Sequence, residues 1–351
     1  MLTFRILEPP VPSPLLAMTF PAYRHLLALQ PAVRLQTDPG QPPVQPVAAA
    51  AWSDESPIGL AVADVPLDGP TEPELLSVFV TPSERGKRVG RGLVGAVEDE
   101  VSKRGFGIIG ATYTAGRPMT GAVEQMLKSR GWSAPELRTL SVELSVAQAH
   151  ALPWLHRIPV PGGCEIVPWV DITAEEKRSL KRSQENAGWI APDLVPWRYE
   201  SSGFEEQTSV GLRGPDGVLG WVINHRTSPD TVRFTCSYIR KDMGRRARIL
   251  PLYSASIERL GRTEFSRVTF VAPMRHPTMA AFVRRRIEPY GSSVRETFGS
   301  TKTLSEAERF AVSPVRGADA RGGAETDAVE QPEPIELRMG DPRFGTERGA
   351  S

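Results

Sequence analysis

Residues 78–93 read Val78-Phe79-Val80-Thr81-Pro82-Ser83-Glu84-Arg85-Gly86-Lys87-Arg88-Val89-Gly90-Arg91-Gly92-Leu93, and the fold is decided by how this stretch is read. It begins as the end of a β-prone run, Leu75 to Val80, and crosses a polar turn. It then enters a pattern in which Val89, Leu93, Ala96, Val97 and Val101 share one helical face. The order is strand, glycine-containing turn, helix. The first N–H groups of such a helix have no partner inside it and point at one spot. The helix dipole adds about 0.3–1 kcal/mol per favourable charge interaction there, and up to about 2 kcal/mol where water is partly excluded, so phosphate groups settle readily. Gly86 and Gly90 let the backbone approach an anion without a Cβ, and Arg85, Lys87, Arg88 and Arg91 add attraction of the same sign. On these residues alone two readings stay open, an anion cradle and a solvated basic turn capping a helix. Neither G-x-G-x-x-G nor G-x-x-x-x-G-K-[ST] is present, which argues against a Rossmann or Walker site.

Outward from this stretch the same grammar continues. Pro14 to Leu29 carries apolar residues at helical intervals, and Ile58 to Val65 has the unbroken apolar character of a buried strand. Ile108 to Tyr113 is a further strand, after Gly105 and Gly107 break the helix. Ala122, Val123, Met126 and Leu127 form a helical face ending at Gly131, a left-handed C-cap with Trp132 as its hydrophobic partner. Leu137 to Leu144 alternates as a closing strand. The second half repeats the pattern loosely: strands at Gly217 to Asn224 and Arg233 to Ile239, a basic loop from Arg240 to Arg248, and a helix bearing Ile249, Leu252, Tyr253, Ile257 and Leu260. A strand at Val268 to Val271, a helix at Thr278 to Ile287 and an extended segment at Ser293 to Thr303 complete it. This recurrence points to an internal duplication.

The expected organisation is therefore two domains, residues 1–152 and 164–304, joined by a Pro- and Gly-rich linker at 153–163. The Ala-, Gly- and Glu-rich remainder, 305–351, has too few large apolar residues to offset the entropy of ordering and is expected to be a disordered tail. A chain of 351 residues suits two domains of ordinary size. Its 42 Lys and Arg balance 41 Asp and Glu, so net charge points to no polyanionic partner. The arginine clusters at 240–248 and 284–286 lack interleaved aromatics, and nucleic-acid binding is not expected. No apolar run of about eighteen residues and no signal-peptide pattern occurs, which leads us to expect a cytoplasmic protein without membrane spans. Cys164 and Cys236 cannot form a disulfide framework, and His25, His150, His156, His225 and His276 show no metal-ligand spacing, so no metal is expected. The absence of G-x-S-x-G leaves a serine hydrolase unsupported.

The run from Val78 to Leu93 resembles the acetyl-CoA signature of the GNAT acetyltransferases, a V-x-V-x-P strand end followed by R-G-x-G-x-G and a helix. The resemblance implies an α/β (α+β) chain of two tandem GNAT-like domains, each a mixed central sheet flanked by helices, the second copy degenerate. It implies that Val78, Phe79 and Val80 pair with the pantetheine arm of acetyl-CoA while Arg85, Gly86, Lys87, Arg88, Val89, Gly90 and Arg91 hold its pyrophosphate. The strand from Ile108 would splay away to admit the thioester. Three positions depart from the family: Arg88 stands at its first signature glycine, Thr120 at a common asparagine, and Leu127 at the tyrosine that often protonates the leaving thiolate. Tyr113 is then the candidate donor to the thiolate and Glu74 the candidate base. In the second copy only Gly244 remains in the basic loop, where Arg245, Arg246 and Arg248 would have to grip a phosphate through side chains, and His276 reads as a capping or surface residue. The implied activity is transfer of an acetyl or short acyl group to an amine of a small molecule or protein. A silent CoA-binding or scaffold protein of the same fold is the alternative. The acceptor and the oligomeric state are not readable from these residues.

Overall fold

Five runs of apolar or alternating residues build the first sheet: β1 (Leu2–Leu7), β2 (Val44–Ser53), β3 (Ser56–Pro66), β4 (Glu74–Val80) and β5 (Ile108–Thr114). β1 to β4 pair antiparallel in chain order, and β5 runs parallel to β4. These elements belong to a computed structural model that describes residues 1–28, 44–67, 71–155, 159–200, 203–240, 249–304 and 335–336. Short helices α1 (Ser13–Leu16) and α2 (Pro21–Ala28) cover one face through Leu15, Tyr23 and Leu27, against Ala48, Leu60 and Leu76. The longer α3 (Val89–Lys103) and α4 (Thr120–Ser129) cover the other through Leu93, Val97, Val123 and Leu127, against Ala61, Leu75 and Ala111. The apolar residues at helical intervals from Pro14 fall on two short helices, and Pro21, with no N–H to donate, starts the second.

Two compact units form, and their boundaries do not follow the linear order. Among the described residues, one comprises 1–136 with 297–304 and 335–336, the other 137–296. The sheet of the first unit is completed by β12 (Ser293–Thr303), which lies antiparallel to β5 with Thr297 opposite Thr114 and Thr303 opposite Ile108. The second unit takes β6 (Glu136–Ser145), the strand expected to close the first domain, antiparallel to β11 (Arg267–Pro273). Each half of the chain thus lends its last strand to the other half's sheet. In the second unit the sheet continues through β10 (Thr231–Ile239), β9 (Gly217–Ser228), β8 (Val210–Gly214) and β7 (Glu165–Pro168), with β10 and β11 parallel. There α5 (Val146–His150), α7 (Leu250–Leu260) and α8 (Pro277–Arg286) pack on one face, and α6 (Ala174–Ala187) on the other.

The segment expected as a linker is not free chain at its start. Trp154 and Leu155 are buried in the second unit's core, and the Trp154 indole donates to the Arg286 carbonyl at 3.0 Å. An aromatic with a satisfied N–H anchors the backbone more firmly than its Pro and Gly content implies. The tail from 305 falls outside the described residues except for Ile335–Glu336, and Met-containing residues 241–248 of the basic loop do so as well. Among the described residues no helix is long and apolar enough to cross a membrane.

One buried carboxylate ties α3 to α4 and β12. Glu98, on the inner face of α3 and only 3% exposed, accepts from both Arg130 nitrogens (2.9 and 2.6 Å), from the Trp132 indole (2.8 Å) and from Lys302 Nζ (2.8 Å). Arg130 and Trp132 follow α4, where Gly131 takes the left-handed φ of +78° that its C-cap requires, and Lys302 lies on β12. Burial pushes the Glu98 carboxyl up, but bonds from Arg130, Lys302 and Trp132 outweigh it and hold the group below its ordinary 4.5. A carboxylate held below its unfolded value stabilises fully above that value and less as pH falls through the depressed pKa. Glu98→Gln should cost about 3–5 kcal/mol in urea unfolding, since it strands two cations. The wild-type chain should also lose stability on acidification below about pH 4.5 more steeply than the variant does.

Candidate cofactor cleft

β4 and β5 pair at only two positions, Glu74 with Gly110 and Leu75 with Ala111. Past Leu75 the strands part, because β5 keeps its full length against β12 while β4 stays with β3. A β-bulge falls at the point of parting: Ala63 pairs with Leu75 and Val62 with Ser77, leaving Leu76 as the extra residue. Bulges re-aim side chains at such places. The freed edge of β4 accepts a two-residue strand, β13 (Ile335–Glu336), at Val78 and Ser77.

Beyond the parting lies a cleft of about 420 Å³. One wall is the end of β4 and the start of α3, with Val78, Phe79, Val80, Arg85, Gly86, Arg88, Val89, Gly90 and Arg91; the other is α4 with Met119, Ala122, Val123, Gln125 and Met126. All the residues expected to hold the cofactor line it except Lys87, whose ammonium is exposed and paired with Glu84 at 3.1 Å. The lining is apolar along β4 and α4 and cationic at the helix end. α3 makes its first internal bond from Gly92 N to Arg88 O (3.1 Å), so the N–H groups of Val89, Gly90 and Arg91 have no carbonyl within the helix.

Three local features shape the cradle. Gly86 has φ +77°, and Arg88, at the N-cap of α3, is also left-handed at φ +66°. Arg88 thus holds a backbone conformation that glycine adopts without strain. A Cβ on Gly90 would stand 3.1 Å from Met126 Sδ and 3.6 Å from Val80 Cγ2, so glycine keeps the passage between the walls open. Gly92 has a different task, since a Cβ there would overlap the Phe4 ring of β1. Arg85 turns inward, its Nε donating to the Val80 carbonyl at 3.1 Å, and braces the end of β4.

The two candidate catalytic residues are not brought together. Leu75 packs on the α3 side, so alternation puts Glu74 on the α1 side of the sheet. Its N–H donates to Asp64 Oδ1 at 3.2 Å, and Asp64 lies directly opposite on β3. Tyr113 packs on the α3 and α4 side with Val123 and Leu127, 2% exposed and outside the cleft lining. Its hydroxyl is sealed from solvent beside the side chains of Ser300 and Glu124, and burial pushes it up to about 12. Leu127 is core. The Thr120 hydroxyl accepts from Arg117 N (3.0 Å) and donates to the Thr114 carbonyl (3.1 Å), closing the turn before α4. In the second unit His276 precedes α8 without capping it and instead meets Asp193 at 2.6 Å, which Arg275 also holds at 2.6 Å. Of the far wall, the sequence marks Ala122, Val123 and Met126 as one helical face, whereas Met119 and Gln125 carry no motif. No group of three or more His, Cys, Asp or Glu placed to hold a metal occurs among the described residues.

Residues 16–125 match the family described as the acetyltransferase (GNAT) family. A tandem GNAT protein from the clavulanic acid biosynthesis pathway superposes with a TM-score of 0.54 at 14% identity, covering 87% of this chain and 99% of its own. A GCN5-related N-acetyltransferase from Sphaerobacter thermophilus does so with a TM-score of 0.54 at 17% identity, covering 86% and 96%. No curated protein matches. Residues 16–125 are thus similar to the GNAT family, and the chain has the fold of tandem GNAT proteins.

Proposed function

We propose that the first unit is an acetyl-CoA-dependent N-acyltransferase whose donor lies in the β4–α4 cleft. The observation that carries this is the meeting, in one cleft, of a freed strand edge with the open end of α3. Val89, Gly90 and Arg91 would hold the diphosphate through their N–H groups, with Arg88 and Arg91 adding charge. Val78 to Val80 would hold the pantetheine arm by strand-like pairing, a capacity the same edge has toward β13. Bound acetyl-CoA supplies an acyl group activated as a thioester; the chain supplies placement. Glu74, on the α1 face, takes the proton of the incoming amine directly or through water. Tyr113 is sealed, so the departing sulfur takes its proton from solvent at the cleft mouth rather than from that hydroxyl. The acceptor is an amine of a small molecule or a protein.

The buried Leu127 and the sealed Tyr113 favour a second reading, a CoA-binding protein without turnover. Titration calorimetry with acetyl-CoA, paired with a thiol-release assay over an amine panel, separates the two: binding with release supports transfer, binding without release supports silence. Gly90→Glu puts bulk against Met126 and negative charge among the open N–H groups, and should abolish binding with the fold retained. Unaltered affinity would place the donor elsewhere. Glu74→Gln should lower turnover about 100-fold with donor affinity unchanged, whereas Tyr113→Phe should stay within about threefold. Arg88→Gly should raise stability by up to about 1 kcal/mol by relieving the left-handed backbone, and Arg88→Val should lower it by at least as much, read by thermal unfolding.

A further inference from the structure

The second unit repeats the strand geometry of the first with one chemical reversal. Glu74 pairs across β4 with Asp64 on β3 and with Gly110, the third residue of β5, and the bulge at Leu76 follows two positions on. Arg233 pairs across β10 with His225 on β9 and with Thr269, the third residue of β11, and the bulge that leaves out Thr235 follows two positions on. The faces agree as well. Leu75 beside Glu74 packs toward α3, and Val232 and Phe234 beside Arg233 pack in the core with α7, so both charged side chains leave the sheet on the opposite face. Arg233 therefore occupies the place of Glu74. A carboxylate position has become a guanidinium position.

The surroundings of Arg233 suit an absent anion. It is half-buried, and among the described residues its side chain has no hydrogen-bond or ion-pair partner. Burial, then repulsion from Arg295, push the guanidinium below its usual value. His225, opposite it, is driven down to about 4 by burial and by the Arg233 charge, and so is neutral near pH 7, its Nδ1 facing Thr235 Oγ1 at 3.1 Å. Glu143 of β6 is 3.6 Å from Arg295 and 3.9 Å from Arg267, and Arg267 also pairs with Asp230 at 2.9 Å. A guanidinium withdrawn from water without a counter-charge is costly, and its fork of donors matches a carboxylate or phosphate.

We propose that this face of the second unit is a binding site for a small oxyanion, a carboxylate or a phosphate, gripped by Arg233 with Arg295 as the second cation. A cation at this place cannot take a proton from an amine, so the second unit holds an anionic group rather than catalysing transfer. The site rests on strand register and charge, and stands whether or not the first unit transfers acyl groups.

Thermal unfolding of the full chain in potassium phosphate, potassium acetate and potassium chloride at matched ionic strength tests it. The midpoint should rise saturably with phosphate or acetate over chloride, and whichever arm responds identifies the anion. Arg233→Met should weaken that response at least about tenfold, while Arg233→Lys, which keeps the charge but not the fork, should retain part of it. In chloride the Met variant should be no less stable than the wild type; if it fails to fold, the Lys variant alone decides by the size of its loss. Equal responses in wild type and both variants, or none beyond chloride, would overturn the proposal. So would a response that survives Arg233→Met but vanishes in Gly90→Glu, because the anion would then sit at the end of α3.

Discussion

The grip of Glu98 on Arg130, Trp132 and Lys302 is the constraint on which the cleft depends. A cleft between two helices keeps its width only if the helices cannot slide, and apolar packing alone is tolerant of sliding. Glu98 lies well inside α3, so fixing it fixes the direction in which the first-turn N–H groups point. Arg130 and Trp132 fix the end of α4, whose earlier turns supply Met119, Ala122 and Met126 to the far wall. Four donors on one buried carboxylate leave little freedom, and the cost of burying charge is offset by that satisfaction.

Lys302 connects this grip to the exchange of strands. β5 is bonded to β12 along its whole length and to β4 at only two residues, so β12 determines where β5 stands. Were β5 zipped to β4 throughout, the edge of Val78 to Val80 would be used up and no cleft could form. The gap beside β4 in the first unit is thus maintained by a strand encoded almost two hundred residues later in the chain. The same topology in the second unit, with Arg233 where Glu74 would be, shows how one scaffold can present opposite charges at one place.

Much of this was legible beforehand where chemistry is local. Gly86, Gly90 and the cations around them mark a turn whose backbone an anion could approach, and Leu75 to Val80 and Val89 to Val101 have unmistakable periods. The Gly131–Trp132 C-cap was readable for the same reason. What could not be read was non-local. Leu137 to Leu144 has the alternation of a strand, but alternation does not say which sheet it joins, and β6 joined the second unit. β2 is not legible because four of the six residues in its buried stretch, Pro46 to Ala51, are alanine, which signals helix as readily as strand. Tyr113 and Leu127 illustrate the same limit at the site: their residue types were plain, whereas the sealing of one hydroxyl beneath α4 depends on packing. The pairing of Arg233 with Glu74 becomes visible only from register.

In the proposed function, the main-chain N–H groups at the head of α3 hold a diphosphate. Amide NMR during titration with coenzyme A addresses it most directly. The account predicts saturable shifts of the Val89, Gly90 and Arg91 amide resonances, following the same binding curve as those of Val78 to Val80. Saturation of the chain with coenzyme A while those α3 resonances stay unmoved would contradict it.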